Sequence, residues 1–292
     1  MNGMGEDALV ARLLAQWPQV SHPVIVGPGD DCAVIECGTT WQLLKTDAMV
    51  EGQHFTRDEE MHRVGWKAIA RVQSDFAAMG GAAEALVVTI FLPSDRPLAL
   101  WEKLYAGMAA AAKAHGGVLC GGETSRSPEG AGILISVAGT GRCYAEPVLR
   151  SGARNGDLLY VTGHLGGSLA GHHLDFSPRV NEGQWLAKMG FATAMMDVSD
   201  GLAKDLPRLC MQSQIGARVE ENKLPLRNHA TQKQAMNDGE DYELLFSVKP
   251  EHQADLESTW ANDFPRTPLT KIGTCTQPSA GMSFTGGWDP FR

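Results

Sequence analysis

The stretch VGWKAIARVQSDFAAMGGAAEALVVTIFL, residues 64–92, reads as a helix, a turn and a strand in succession. Trp66, Ile69, Ala70, Gln73 and Ala77 recur at helical spacing between Val64 and Met79. Gly80-Gly81 ends that helix, since glycine takes the left-handed conformation of a helix C-terminus without steric cost. Leu86–Leu92 follows as an apolar run of strand length. Downstream, the pattern predicts a helix over Pro97–His115, opened by its proline, and strands at Val118–Cys120 and Ile133–Ala138. Upstream, Leu9, Leu13, Leu14 and Trp17 predict a helix over Glu6–Trp17, and strands follow at Val24–Val26, Cys32–Ile35 and Trp41–Leu44.

Residues 144–155 are polar and turn-rich, which places a domain boundary there: residues 1–145 and 146–292. The second half again mixes strands (Leu158–Val161, Thr193–Met196, Tyr242–Val248) with helices (Gly166–His173, Leu202–Gln212, Glu251–Trp260). Strands and helices mixed in both halves predict an α+β, two-domain fold.

Composition narrows the function. With 292 residues the chain can bury full cores without metal or disulfide staples. The balance of 25 Lys+Arg against 34 Asp+Glu, net −9, argues against a nucleic-acid partner and allows an acidic site that needs cations. The six cysteines show no zinc spacing and are expected as reduced thiols, mostly buried. No signal peptide or membrane-length apolar run is evident, so a cytoplasmic protein with no membrane partner is expected.

The chemistry lies in acids beside Gly, Ser or Thr, expected on strand ends and turns. They are Asp30 and Asp31, Asp47, Asp75, Glu123, and Asp197 with Asp200. Any one of these is an ordinary turn residue or helix cap. Asp75 is not, because it sits among Val72, Phe76, Ala77 and Met79, where a lone charge is costly. Basic residues look too sparse near these motifs to neutralise seven acids. Hard divalent cations are then the natural counter-charge, and oxygen ligands select Mg²⁺. Such sites commonly complete their shell with substrate phosphates. A P-loop, a protein-kinase motif set, a G-x-S-x-G elbow and an H-E-x-x-H helix are all missing. Gly163-His-Leu-Gly-Gly-Ser offers an anion cradle or a plain strand-to-helix turn, and His172-His173 reads as solvated surface.

Seven motifs stand in order: Gly29-Asp-Asp-Cys-Ala-Val, Thr46-Asp-Ala-Met-Val-Glu-Gly-Gln-His-Phe, Ser74-Asp-Phe-Ala-Ala-Met-Gly, Gly121-Gly-Glu-Thr-Ser-Arg, Arg150-Ser-Gly-Ala-Arg-Asn-Gly-Asp, Asp197-Val-Ser-Asp-Gly-Leu and Gly239-Glu-Asp-Tyr-Glu-Leu-Leu-Phe. Together they resemble the thiamine-monophosphate kinases of the aminoimidazole-ribonucleotide synthetase-like superfamily, over essentially the whole chain. The resemblance implies ATP-dependent phosphorylation of thiamine monophosphate to thiamine diphosphate by direct, Mg²⁺-assisted in-line transfer. It implies a homodimer whose N-terminal sheets pair into a β-barrel at the interface, and an α/β sandwich C-terminal domain that completes the nucleotide and substrate site. Several Mg²⁺ ions would be held by Asp30, Thr46, Asp47, Asp75, Glu123, Asp197 and Asp200. ATP would meet Tyr105, Gly121, Gly122, Arg150 and Ser199; thiamine monophosphate would meet His54, Glu240 and Trp288. No catalytic base is implied, with Asp75 and Asp200 the most critical acids. The chain departs from the family's usual residues at Glu123 (Asp), Lys45 (Ser or Thr), Gln73 (Asn) and Gly167 (Asp). An ammonium at position 45 repels metal unless it points away or binds phosphate directly. Two other readings stay open: a paralogue for another small phosphate or amine, and a weakly catalytic nucleotide-binding regulator.

Overall fold

A computed structural model describes residues 5–278 and 286–290. The chain runs α1 (Glu6–Leu14), β1 (Val24–Val26), β2 (Ala33–Cys37), β3 (Thr40–Val50), α2 (Met61–Ala78), β4 (Ala82–Leu92), α3 (Leu98–His115), β5 (Val118–Arg126) and β6 (Leu134–Cys143). These strands form one sheet in the order β1-β2-β3-β6-β4-β5. All its pairings are antiparallel except β4 with β5, which α3 connects. Strand β6 alternates buried and half-buried residues along its length, as a sheet covered on one face requires. Helices α2 and α3 cover that face; the other carries the exposed Leu44, Thr46, Ala48 and Val50 of β3.

The second unit comprises β7 (Leu158–Thr162), a 3₁₀ turn at Ser168–Ala170, α4 (His172–Asp175), α5 (Val180–Met189), β8 (Ala192–Asp197), α6 (Leu202–Ser213), β9 (Gly216–Val219), α7 (Gln232–Asn237), β10 (Leu244–Val248), α8 (Gln253–Asp263) and β11 (Leu269–Thr276). Its sheet is antiparallel, ordered β8-β10-β7-β11-β9. Every residue of β7 and β10 is buried, because helices lie on both faces. Leu202, Leu206 and Leu209 of α6 pack on Leu159, Val161 and Leu245; Leu186 of α5 and Trp260 of α8 pack on Tyr160 and Phe246.

The α+β, two-sheet architecture agrees with the sequence reading, and several elements differ. Strand β3 continues past Leu44 through Asp47, β4 begins before Leu86, and β5 continues past Cys120 through Glu123. So Asp47 and Glu123 lie within strands, and Asp75 within a helix. The stretch 166–173 is not one helix, because Gly166, Gly167 and Gly171 all take positive φ. Helices α5 and α7 and strands β9 and β11 were not expected. The six-stranded sheet is open, with β1 and β5 at its edges, so no barrel closes within one chain.

Helix α2 touches its neighbours backbone to backbone. A Cβ on Gly65 would stand 1.9 Å from the Leu104 carbonyl oxygen, and one on Gly107 only 1.8 Å from that of His62. A Cβ on Gly183 of α5 would come within 2.1 Å of the Ala77 carbonyl oxygen. Gly107→Ala should therefore push α2 and α3 apart and cost about 1–3 kcal/mol. At about 2–4 °C per kcal/mol, calorimetry should record a lower Tm; an unchanged Tm would show that the crossing is not close-packed.

Candidate active site

Helix α2 places Lys67, Arg71 and Asp75 at successive intervals of four, hence on one face. Lys67 and Asp75 are buried, Arg71 is half-buried, and each finds its partner on another segment. Lys67 Nζ lies 2.5 Å from Glu240 Oε2 and donates to the His54 carbonyl oxygen at 2.7 Å. Arg71 Nη2 donates to Asp47 Oδ1 at 3.2 Å, and its Nη1 to the Ala48 carbonyl oxygen. Asp75 Oδ1 accepts from Lys45 Nζ at 2.7 Å. Next to it, Ser74 Oγ donates to Asp197 Oδ2 at 2.5 Å, joining α2 to β8.

Around Asp75 the chain gathers three acids. Asp31, Asp75 and Asp197 each present a carboxylate oxygen, and these oxygens lie within 4.8 Å of one another. Asp31 Oδ1 accepts from Arg150 Nη2, while its Oδ2 is buried without a hydrogen-bond partner. Asp30 turns away and accepts from the backbone N–H groups of Arg150 and Asp31, both at 3.0 Å. Octahedral Mg²⁺, with oxygens at about 2.1 Å, needs ligand oxygens about 3–4 Å apart. Three hard oxygens from buried acids within 4.8 Å fit such an ion, and Asp31 keeps an unpartnered oxygen.

Electrostatics says the same. Burial, and then the Asp31 charge, pushes Asp197 up to about 7 despite the Ser74 hydrogen bond. Burial followed by the Asp31 charge also raises Asp30 to about 7. Asp75 lies well above the usual carboxylate range, mainly through burial and in spite of Lys45. Burial alone would lower the Lys45 ammonium, but Asp75 and Asp47 outweigh it and keep it protonated. The cluster carries more negative charge than Lys45 and Arg150 neutralise.

A cleft of ≈ 330 Å³ opens beside the cluster, lined by His54, Phe55, Ser199, Asp200, Glu240, Tyr242 and Trp288. Its loop 197–200 is held by Asp205, whose Oδ2 accepts from the N–H groups of Ser199 and Asp200. Asp200 is gripped by Arg208 at 2.6 Å and Lys204 at 3.1 Å. Trp288 docks through its N–H on the Asp200 carbonyl oxygen at 2.9 Å and meets His54 edge-on, with ring centroids 6.1 Å apart. Glu240 and Tyr242 hold left-handed backbone (φ 55° and 51°), a conformation costing about 1–3 kcal/mol where it is not glycine. Their N–H groups donate to the Ser199 and Val198 carbonyl oxygens, which pin the strained loop over the cleft.

Of the expected site residues, Asp75 and Asp197 converge with Asp31. Ser199, Asp200, His54, Glu240 and Trp288 converge on the cleft. Thr46 and Glu123 join neither group. Both face the open side of the sheet, with Thr46 Oγ1 3.4 Å from Ser136 Oγ, and Glu123 lies three strands away on β5, about 14 Å at 4.8 Å per strand. Gly121 and Gly122 share that strand, and Tyr105 is half-buried on α3. Arg150 is spent on Asp31. Basic residues are nearer than expected but still too few for seven acids: Lys45, Arg71, Arg150, Lys204 and Arg208 pair with Asp75, Asp47, Asp31 and Asp200, and Asp30, Asp197 and Glu123 have no ion pair among the described residues. His173 is buried and lines the cleft, contrary to a solvated role. The Gly163–Ser168 loop is no open cradle, because the Asp241 and Asp238 carboxylates take the Gly166 and Gly167 N–H groups. Reading the sequence missed Lys67 and Arg71, although charges four apart on an apolar helix were the available signal.

Known proteins resemble this chain in sequence and fold. Residues 29–143 match the family model "AIR synthase related protein, N-terminal domain", and residues 154–279 its C-terminal counterpart. The thiamine-monophosphate kinase of Rhodopirellula baltica is 36% identical over 92% of this chain and 88% of its own length. The chain belongs to the thiamine-monophosphate kinase family. The Escherichia coli K12 member is 32% identical over 98% of the chain and 95% of its own length. Among solved structures, AaThiL complexed with AMPPCP and TMP superposes with a TM-score of 0.86 at 29% identity, covering 100% of this chain and 98% of that one.

The raised carboxyls define a pH test. Asp30, Asp197 and Asp241 near 7, and Asp205 near 8, keep protons that the unfolded chain has already lost. Stability of the metal-free protein should thus fall as pH rises from about 6.5 to 8. The lowered histidines (His54, His115, His172, His173) act with the opposite sign only below their ordinary 6.5. Thermal melts in EDTA should show Tm falling across this window, and excess Mg²⁺ should flatten the slope. A Tm that rises with pH in EDTA would contradict these assignments.

Proposed function

We propose that the chain transfers the γ-phosphoryl group of ATP to thiamine monophosphate, forming thiamine diphosphate, with Mg²⁺ at the acid cluster. The observation that carries this reading is the contiguity of that cluster with the cleft through the single loop 197–200. Full-length similarity to thiamine-monophosphate kinases supports it. Asp31, Asp75 and Asp197 would hold Mg²⁺, with Asp30, Asp47 and Asp200 beside them. Bound there, Mg²⁺ would supply positive charge against the phosphates.

The chain's residues do the rest. Glu240, fixed by Lys67, faces a cleft walled by Trp288, and an acid with an aromatic ring suits the positive thiazolium. Ser199, on the loop between cleft and cluster, faces the region where donor and acceptor meet. The acceptor is a phosphate monoester, ionised at neutral pH, so no side chain need remove a proton. The division of labour follows the boundary between residues 145 and 146. The N-terminal unit carries most of the metal ligands; the C-terminal unit adds Asp197, Asp200, Ser199 and the acceptor contacts.

Thr46, Gly121, Gly122 and Glu123 fit this reading through a second copy. Exposed Leu44, Val50 and Val87 make the open sheet face apolar, and β5 leaves Val118 and Leu119 exposed at its edge. Two such faces would bury each other as a barrel-like homodimer, bringing those residues to a shared nucleotide groove.

Two measurements test the proposal. ADP release should require both Mg²⁺ and thiamine monophosphate. Release that ignores thiamine monophosphate would refute the acceptor, and no release would refute the kinase reading. Light scattering should find a dimer that Val87→Asp converts to monomer; a monomeric wild type at micromolar concentration would refute the assembly.

A further inference from the structure

We propose that the Lys45 ammonium is a resident counter-ion of the acid cluster, holding on Asp75 the place of one divalent cation. This chain would then bind one fewer such ion than a chain with a neutral residue at position 45. The inference rests on the magnesium part of the reading above and deepens it.

Strand alternation decides where Lys45 points. Leu43 and Met49 of β3 are buried against the helices, so Lys45 and Asp47 face the same way, whereas Thr46 faces out. The Lys45 ammonium therefore enters the cluster from the helix-covered side. Its Nζ lies 2.7 Å from Asp75 Oδ1, in a side chain that is 23% exposed, against 10% for Asp75. It neither points away nor faces the open side that carries Gly121, Gly122 and Thr46. A cation bridging Asp75 to its neighbours would have to displace this ammonium or lie beside it against charge repulsion. The other side of the cluster is different. Asp31 Oδ2 is buried without a partner, in a residue 2% exposed, and Asp197 Oδ2 has the Ser74 hydroxyl. That side still offers an unpartnered oxygen, so the ammonium takes Asp75 Oδ1 and leaves Asp31, Asp197 and the other Asp75 oxygen to an ion.

The test counts ions and needs no turnover. Mn²⁺ bound per chain is measured by equilibrium dialysis, with free Mn²⁺ read by electron paramagnetic resonance. Wild type, Lys45→Ser, Lys45→Gln and Lys45→Arg are compared, each verified as folded by circular dichroism. The serine and glutamine variants should each bind one more Mn²⁺ than wild type, and Mn²⁺ should raise their Tm more. Lys45→Arg keeps the charge and should keep the wild-type count. Adding Asp75→Asn to Lys45→Ser should abolish the extra ion. If the serine variant does not fold, the near-isosteric glutamine variant decides. Equal counts in wild type and the neutral variants, with ions bound, would overturn the resident-ammonium inference alone. No Mn²⁺ on any variant would overturn it together with the magnesium reading.

Discussion

A row of charges buried along one face of α2 is the constraint on which the rest depends. Lys67 and Asp75 are buried and Arg71 half-buried on a helix packed closely against α3 and α5, so water solvates them poorly. Burying an unpaired charge costs several kcal/mol, and each charge must be met by chain brought from elsewhere. Lys67 fastens the 239–242 loop and the His54 turn, Arg71 holds β3 at Asp47, and Asp75 draws Lys45. Ser74, one residue away, reaches Asp197 in the second sheet. The same contacts that make α2 tolerable inside the protein also tie the two units together and place His54 and Glu240 at the cleft.

The outcome is a site built with its own cations. Arginine or lysine stands against Asp31, Asp47, Asp75, Asp200 and Glu240. What remains is a local excess of negative charge at Asp31 and Asp197, which burial makes costly and a divalent ion would relieve.

How much of this was legible depended on how local each signal is. The period of Trp66, Ile69 and Ala77 marked α2, and the apolar run at 86–92 marked its strand. The strand seemed to end at Leu44, because Lys45 and Asp47 are charged although they face the helix-covered side of β3. Gly121-Gly122 seemed to close the short strand at Cys120. Gly122 is glycine for another reason: a Cβ there would meet the Val88 carbonyl oxygen of β4 at 2.0 Å. The motifs located most of the acids, but nothing in the sequence says that Lys45 meets Asp75 across 30 residues or Ser74 meets Asp197 across 123. Counting basic residues only near the motifs therefore missed the cations that meet four of the seven acids.

The central claim is that the carboxylates gathered at α2 form the metal half of a phosphoryl-transfer site. Anomalous diffraction from a crystal of the protein with Mn²⁺, a non-hydrolysable ATP analogue and thiamine monophosphate tests it most directly. The account predicts at least one Mn²⁺ peak within ligand distance of Asp31 or Asp197, with phosphate oxygens completing its shell. Mn²⁺ peaks confined to other parts of the molecule, with both substrates bound and this cluster empty, would contradict it.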